Sequence, residues 1–200
     1  MCIGRNYAAH AAEMRSSVPE TPMLFLKPAS AIIPSGGQIV IPDLSNEVHH
    51  EIELVVLIGL EGKNIDDETA LDHVAGYAVG LDMTARDIQA VAKEKGHPWS
   101  VSKGFDTFAP LGAFSPVTEI ADPQDLEVRL DINGSVRQRG QTADMIFTVA
   151  QLVSWCSTVM TLEPGDLIYT GTPDGVGPVQ RGDILQANIS GLPPLTVTVV

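Results

Sequence analysis

The sequence contains few cysteines and no long apolar segment. Cys2 and Cys156 lie far apart and form no Cys-x-x-Cys pair, which argues against a disulfide framework and against a zinc knuckle. No apolar run approaches the roughly 20 residues that a membrane span requires. Residues 1–7 contain no apolar core of a signal peptide. We therefore expect a cytoplasmic protein that does not enter a membrane.

The chain is also poor in cations. Its 12 lysines and arginines stand against 25 aspartates and glutamates, so the formal net charge is −13. Binding to a nucleic acid depends on Lys and Arg side chains that neutralise phosphates, and this balance argues against such a partner. An anionic substrate would need a local cluster of positive charge.

Turn-forming residues are abundant by contrast. The 200 residues include 18 glycines and 14 prolines, and 44% of the chain is hydrophobic. These proportions favour a β-rich globular architecture with one sizeable core over a helical bundle. The succession of many short strands and a few helices predicts an α+β, mostly β fold. We expect the mixed sheet of this fold to curl or close, within a single domain over residues 1–200.

Local patterns predict individual elements. Asn133-Gly134 suits the type I′ turn of a hairpin, and apolar residues at helical spacing predict an amphipathic helix near the end of the chain. Thr84 and Asp87 resemble a capping box, which predicts a helix that Gly96 ends. The predicted helices cover residues 5–15, 68–74, 84–96 and 144–160, and the hairpin covers residues 126–139.

Residues 48–59, VHHEIELVVLIG, combine the pattern of a buried strand with two glutamates. Residues i and i+2 of a strand share a face, so Glu51 and Glu53 project together. Two buried carboxylates repel each other and lose hydration, and a divalent cation is the strongest compensation available. Oxygen ligands suit Mg²⁺, Mn²⁺ or Ca²⁺ better than zinc. The alternative is a strand with one solvated face that carries both acids.

Asp82 ends a second apolar strand, directly before a predicted helix. Together with Glu51 and Glu53 it would supply three oxygen ligands and leave about half of an octahedral shell open, as a catalytic metal requires. Lys103 and Arg86 could bring positive charge to the same place. Taken alone, Asp82 could instead cap the helix.

His10 and Glu13 are three residues apart on the first predicted helix, so their side chains share a face. A carboxylate that hydrogen-bonds an imidazole fixes its tautomer and raises its basicity, which makes His10 a candidate general base. A solvated pair on the helix surface is the alternative. No histidine has the spacing of a metal site, because His49 and His50 point opposite ways on their strand.

Residues 169–177, YTGTPDGVG, are rich in glycine and hydroxyl groups. They lack the Gly-Lys-Ser/Thr ending of a P-loop, which argues against a nucleotide phosphate site. The segment is either a tight turn between strands or a loop whose backbone N–H groups and threonine hydroxyl bind a substrate carboxylate.

Seven segments together resemble the fumarylacetoacetate hydrolase family, close to its acylpyruvate hydrolase branch. They occur in the expected order and cover nearly the whole chain. The matching segments are GRNYAAHAAEM (4–14), LFLKPASA (24–31), VHHEIELVVLIG (48–59), GYAVGLDMTARDIQ (76–89), PWSVSKGFDTFAPLG (98–112), QTADMIF (141–147) and LEPGDLIYTGTPDGVGPV (162–179).

This resemblance implies a role for each candidate site residue. The acidic residues would bind Mg²⁺ or Mn²⁺, for which Ca²⁺ can substitute in crystals. His10 and Glu13 would form a water-activating dyad on a helix that closes over the substrate. Lys103 matches the active-site lysine of the family. The residues implied are the metal ligands Glu51, Glu53 and Asp82, the catalytic His10, Glu13 and Lys103, and the substrate-binding Arg86, Gln89 and Thr172.

The same resemblance implies the mixed β-sheet roll of the family's C-terminal domain, usually as a homodimer. Relatives generally have a strand before the GRNY motif, whereas Met1 here falls almost on it. We therefore expect that an N-terminal strand before residue 4 is missing.

The implied activity is hydrolytic cleavage of a carbon–carbon bond in a 2,4-diketo acid. An acylpyruvate or fumarylpyruvate would give pyruvate and a carboxylic acid. A metal-held enolate would serve related reactions equally, so an oxaloacetate tautomerase or decarboxylase, or a 2-hydroxymuconate-type isomerase or decarboxylase in aromatic breakdown, is the alternative. A non-catalytic module that binds Ca²⁺ is a remote one.

Overall fold

The structure is a computed structural model that describes residues 1–13 and 17–200. Over these residues the chain forms 16 short strands and four α-helices. The strands are β1 (Cys2–Gly4), β2 (Met23–Phe25), β3 (Ile32–Pro34), β4 (Gln38–Ile39), β5 (Val48–His50), β6 (Ile52–Ile58), β7 (Val74–Leu81), β8 (Thr84–Ala85), β9 (Ala109–Leu111), β10 (Ser115–Pro116), β11 (Glu127–Ile132), β12 (Ser135–Gln141), β13 (Leu167–Tyr169), β14 (Gly177–Pro178), β15 (Ile184–Ile189) and β16 (Leu195–Val199). The helices are α1 (Ala8–Glu13), α2 (Arg86–Lys95), α3 (Ser100–Lys103) and α4 (Val149–Val159).

Most strands belong to two mixed sheets. The larger has the order β2-β1-β13-β6-β7-β9-β3, with β10 beside β7, and the second has the order β12-β11-β15-β16-β4. Most neighbours are antiparallel, but β1 with β13, β3 with β9 and β4 with β16 are parallel. A small third sheet, β14-β5-β8, continues from the start of β6. The predicted α+β, mostly β architecture is confirmed.

The main core lies between the two large sheets. It joins Leu54 and Val56 of β6 to Leu130 and Leu185 of the second sheet. Residues on the opposite face of β6 and β7 pack in a smaller apolar cluster, so these central strands are buried on both sides. Strands covered on both faces read as continuous apolar runs, as in the sequence of β6. Glu53 interrupts that run inside the protein and therefore needs a specific partner.

Several local predictions are confirmed. Asn133 and Gly134 both have positive φ, 52° and 77°, and they join β11 to β12 as a type I′ turn requires. Gly96 ends α2 with a left-handed φ of 66°. The helix predicted over residues 144–160 exists as α4, which begins later because Thr148 and Gln151 form a capping box at its start.

Other local predictions are wrong. The capping box does not form: Thr84 pairs with His49 of β5, while the Asp87 carboxylate accepts hydrogen bonds from the Ser45 hydroxyl and the Asn46 amide. Contacts with segments distant in sequence therefore engage Thr84 and Asp87, which the local pattern had assigned to the start of the helix. The helix predicted over residues 68–74 is present, by contrast, with 3-10 geometry over Asp67–His73.

The first predicted helix is shorter than expected. It covers Ala8–Glu13, and positions 14 and 15 of the predicted segment lie outside the described residues. A short strand, β1, leads into the GRNY motif. Among the described residues, no helix is both long and apolar enough to cross a membrane.

Candidate active site

Three acidic side chains meet where β6 and β7 pair. Glu51 lies in the single-residue break between β5 and β6, Glu53 lies in β6, and Asp82 directly follows β7. The antiparallel register places Glu53 opposite Gly80, and the Asp82 amide donates to the Glu51 carbonyl at 2.8 Å. One carboxylate oxygen from each residue lies within 4.8 Å of the others, and all three residues are buried. The convergence predicted from strand geometry is present.

Three cationic side chains surround this acidic triad. Lys103, the last residue of α3, is buried. Its ammonium group donates hydrogen bonds to Glu51 at 2.8 Å and to Asp82 at 2.5 Å. Arg86, at the start of α2, pairs with the other oxygen of Glu51. Lys27 pairs with Asp82 and donates to the Met83 carbonyl at 2.9 Å. In these contacts the three cations pair with Glu51 and Asp82 and offset their negative charge.

The nearby cations affect the pKa values of the two glutamates of the triad unequally. Burial alone would raise the pKa of Glu51, but Lys103 and Arg86 hold that pKa well below its ordinary value of 4.5. Burial raises the pKa of Glu53 well above 4.5, and repulsion from Asp82 and Glu51 adds to the rise. The Gly171 amide donates to Glu53 at 2.7 Å, and no cationic side chain of the described residues pairs with it. Within the described part of the chain, Glu53 is thus a buried carboxyl group without a counter-charge.

The donor set fits a hard divalent cation. Three carboxylates within reach of one point offer oxygen ligands, and Glu53 in particular lacks the positive charge that a dication would bring. Three protein ligands would leave positions for substrate or water in an octahedral shell. Glu51, Glu53 and Asp82 are therefore the residues that could hold Mg²⁺ or Mn²⁺.

His10 and Glu13 lie on α1 at the edge of the same site. The Nδ1 atom of His10 is 3.4 Å from a carboxylate oxygen of Glu13, and His10 is buried. Burial lowers the pKa of His10 from its ordinary value of 6.5, against the opposing effects of Glu51 and of the hydrogen bond to Glu13. Its imidazole is therefore neutral near pH 7, as a general base must be.

The loop after β13 connects the triad with α1 through two glycines. Gly171 has a φ of 100°, and a Cβ there would lie 2.6 Å from the Asn6 side chain. Gly175 has a φ of 89°, and its amide donates to both oxygens of Glu13 at 3.1 Å. A Cβ on Gly175 would lie 2.4 Å from the Arg137 carbonyl. Glycine is required at both positions to bring backbone N–H groups to Glu53 and Glu13.

Thr172 of this loop is buried and held by Gln138 of β12. The Gln138 amide nitrogen donates to the Thr172 hydroxyl at 2.8 Å and to the Pro173 carbonyl at 2.8 Å. The Gln138 amide oxygen accepts from the Ile52 amide at 3.1 Å and contacts Nδ1 of His50 at 2.9 Å. One buried side chain thus ties the loop to the strand that carries Glu53.

The structure brings the predicted site residues together in and around one cleft. His10, Glu51, Glu53, Arg86, Gln89, Lys103 and Thr172 line it. Asp82 and Glu13 adjoin it through their contacts with Lys103 and His10. Gln89 accepts a hydrogen bond from Arg86 at 2.7 Å, which orients both side chains.

Residues that the sequence analysis missed complete the site. Lys27 follows an apolar strand, which is a weak signal available in the sequence. Gln138 gives none, because β12 is otherwise mostly exposed and its one buried polar residue reveals itself only in the packed structure. Arg5 and Lys93 also line the cleft.

A family model described as fumarylacetoacetate (FAA) hydrolase C-terminal matches residues 1–200. The chain belongs to the fumarylacetoacetate hydrolase family. The family and the roll-type fold expected from the sequence motifs are both confirmed.

Similar proteins have different named activities. The mitochondrial oxaloacetate tautomerase of Arabidopsis thaliana is 50% identical over 192 residues, which are 96% of this chain and 86% of that protein. The crystal structure of fumarylpyruvate hydrolase from Pseudomonas aeruginosa with Mn²⁺ and pyruvate has a TM-score of 0.96 and 45% identity, covering 100% of this chain and 88% of the other. A 5-carboxymethyl-2-hydroxymuconate delta-isomerase from Mycobacterium smegmatis has a TM-score of 0.88 and 45% identity, covering 100% and 77%.

Proposed function

We propose that this protein hydrolyses a carbon–carbon bond in 2,4-diketo acids, converting an acylpyruvate or fumarylpyruvate to pyruvate and a carboxylic acid. The observation that carries the proposal is the buried His10, oriented by Glu13, in the same cleft as the acidic triad. A base that activates water is needed for hydrolysis, whereas isomerisation alone does not require one. The fumarylpyruvate hydrolase from Pseudomonas aeruginosa supports the same reaction class.

The 2-oxo acid end of the substrate would lie at the triad. Mg²⁺ or Mn²⁺ held by Glu51, Glu53 and Asp82 would supply Lewis-acid stabilisation of the developing enolate there. Lys103 lines the cleft and would donate a hydrogen bond to the same negative charge. The Thr172 hydroxyl would donate to the substrate carboxylate, because its oxygen already accepts from Gln138 and its proton is free to point elsewhere.

The protein's own groups would move the protons. Nδ1 of His10 faces Glu13, so Nε2 takes a proton from water, and the hydroxide adds to the C4 carbonyl. The C3–C4 bond then breaks, leaving the carboxylic acid and passing the electron pair to the enolate of pyruvate. Return of the proton to C3 completes pyruvate. Glu13 holds the imidazole and offsets its transient positive charge.

A product assay tests this proposal. The enzyme with Mg²⁺ is incubated with acetylpyruvate and with fumarylpyruvate, and loss of the enol is followed by ultraviolet absorbance while pyruvate and the carboxylic acid are quantified. Stoichiometric release of both products supports hydrolysis. Absorbance loss without pyruvate contradicts it.

Oxaloacetate tautomerisation or decarboxylation is the second candidate. The tautomerase of Arabidopsis thaliana is 50% identical, and stabilising an enolate at the triad would serve that reaction too. With oxaloacetate, a product of unchanged mass indicates tautomerisation, and release of CO₂ indicates decarboxylation. Isomerisation of a 2-hydroxymuconate-type compound falls in the same class. The Ca²⁺-binding module has little support, because structural Ca²⁺ sites take about six to eight oxygen ligands and the described residues gather three carboxylates here.

Assembly and location also belong to the proposal. We propose that the protein assembles as a homodimer, and light scattering of the purified protein would test this by measuring its mass in solution. We retain the cytoplasm as the location, although the Arabidopsis relative is named as mitochondrial. Fractionation of the source cells tests it.

A further inference from the structure

The cleft has a second cationic end, formed by Arg5 and Lys93. Both residues line the same cleft as the triad. Arg86 and Lys103, the other cations lining the cleft, pair with Glu51, whereas no carboxylate of the described residues pairs with Arg5 or Lys93. The acidic triad therefore does not account for the charge at this end.

An aromatic wall separates the two cationic ends. The Lys103 ammonium group, which contacts the triad, lies 4.9 Å from the centre of the Phe25 ring. The Phe25 ring meets the Trp99 ring edge to face, with centroids 5.6 Å apart. The Lys93 ammonium group in turn lies 5.3 Å from the centre of the Trp99 ring. Phe25 and Trp99 thus form an aromatic wall whose contacts link Lys103, at the triad, to Lys93.

Arg5 reaches the cleft from the same side as Trp99. It directly follows β1 and has a φ of 61°, a left-handed conformation that is uncommon for arginine. A Cβ built on the preceding Gly4 would lie 3.6 Å from the Trp99 ring. The backbone that carries Arg5 therefore runs beside Trp99, the ring that Lys93 contacts.

Neighbouring cations affect Lys93, which is an exposed residue. Partial desolvation of its side chain and repulsion from Arg86 and Arg5 lower the pKa of Lys93 to about 8. A cluster of like charges that lacks a protein counter-ion is stabilised by an anionic ligand. Charged hydrogen bonds from arginine and lysine are the interactions that usually bind a carboxylate.

We propose that Arg5 and Lys93 bind the second carboxylate of a dicarboxylic 2-oxo acid whose carbon chain lies along Phe25 and Trp99. The inference rests on the proposed function for the position of the 2-oxo acid end. It narrows the substrates from acylpyruvates in general to those with an anionic far end, and a planar unsaturated chain would fit the aromatic wall. An uncharged acyl tail would leave both cations without a partner.

Binding of paired, unreactive ligands tests the proposal. Calorimetric titration of the Mg²⁺-loaded protein compares 2-oxopentanoate with 2-oxoglutarate, which differ only in a methyl or a carboxylate at the far end. The six-carbon pair, 2-oxohexanoate and 2-oxoadipate, tests a longer span. None has a C4 carbonyl, so hydrolysis cannot interfere. We expect at least one diacid to bind about tenfold more tightly than its monoacid, the usual scale of a charge-assisted contact.

Variants assign that preference to the two cations. Lys93→Met and Arg5→Asn should each reduce the preference, and the double variant should bring it to within about twofold. Asn suits position 5 because it tolerates a left-handed backbone. Lys95→Met is the matched control: it removes the same charge from α2 at a residue that does not line the cleft, and the preference should persist.

The outcomes separate this proposal from the proposed function. Equal binding of monoacid and diacid to the unaltered protein overturns the second carboxylate site, and so does a preference that survives in the double variant. Both results leave the 2-oxo acid site at the triad in place. Failure of all four ligands to bind overturns the proposed function, and the inference with it.

Discussion

The amide nitrogen of Gln138 donates to the hydroxyl oxygen of Thr172 at 2.8 Å, across 34 residues of sequence. Because that oxygen acts as an acceptor, the hydroxyl proton of Thr172 is free to point into the cleft. Gln138 is a positioning residue in this arrangement, since the cleft is lined by Thr172 and not by Gln138 itself.

Replacing Gln138 with Leu should raise KM more than it lowers kcat. The Thr172 hydroxyl loses the donor that orients it, and we expect KM to rise roughly tenfold, within the range of one hydrogen bond to a charged group. The Ile52 amide loses its partner, so the free energy of unfolding should fall by about 1–3 kcal/mol. Steady-state kinetics and urea denaturation check both values. Gln141→Leu, at an exposed position of the same strand, is the control. A fall in kcat with unchanged KM would contradict the positioning role.

Replacing Glu53 with Gln should separate metal binding from folding. The substitution removes a buried carboxylate that Asp82 and Glu51 repel, so the metal-free variant should be at least as stable as the unaltered protein. Mn²⁺ at a hundred times its Kd stabilises a binding protein by about 2.7 kcal/mol, and this gain should vanish in the variant. Thermal unfolding with and without Mn²⁺ measures it. The control variant Glu119→Gln, at an exposed position, should be stabilised by Mn²⁺ as much as the unaltered protein. Equal stabilisation of the Glu53→Gln variant would overturn the metal assignment.

Replacing Glu13 with Gln should reduce turnover without affecting the metal. The amide can still accept from Gly175, but it no longer offsets positive charge on His10. We expect kcat to fall by roughly 10²–10⁴-fold, the usual contribution of acid–base catalysis. Stabilisation by Mn²⁺ should stay as it is in the unaltered protein. An unchanged kcat on a substrate that releases pyruvate removes the dyad from the mechanism.

The activity should persist to mildly acidic pH. Burial lowers the pKa of His10 below 6.5, so its imidazole stays neutral to a lower pH than a free histidine. The acidic limb of kcat/KM should therefore have its midpoint below pH 6.5. Glu13 raises this pKa, so the Glu13→Gln variant should titrate at a still lower pH. Rate profiles measure the first value and NMR titration of the His10 ring the second. A midpoint at or above 6.5 contradicts the expected direction.

Neither cysteine should react with thiol reagents in the native protein. Burial raises the pKa of Cys2 to about 12 and that of Cys156 to about 11, so the reactive thiolate is scarce at neutral pH. A colorimetric thiol assay should detect both groups only after denaturation. Rapid labelling of one thiol under native conditions would show that its strand or helix opens.

Local geometry predicted that Glu51 and Glu53 project together, whereas the assignment of Asp82 to the same site was decided by the resemblance to the family. Glu51 and Glu53 share a face because side chains alternate along a strand, and Asp82 joins them because β6 and β7 pair in antiparallel register. The Asn133-Gly134 turn and the end of α2 at Gly96 were predictable for the same reason, since each depends on the φ of one or two residues.

Contacts between distant segments were not predictable in this way. Lys27 reaches Asp82 across 55 residues, and Gln138 reaches His50 across 88. Thr84 had a strong local pattern for a helix start, but pairing with β5 satisfied its backbone instead. A sequence pattern indicates the conformation that a segment prefers in isolation. The positions of these residues depend instead on the segments that pack beside them.

The parallel pairing of β1 with β13 joins residues 2 and 169, which lie far apart in sequence. Arg5 and His10 follow the first strand, and Thr172 and Gly175 follow the second. We expect such remote segments to meet late in folding, because closing so long a loop is entropically costly. Catalytic competence would then be acquired after most of the sheet has formed. A refolding chain should regain its backbone circular dichroism before its turnover.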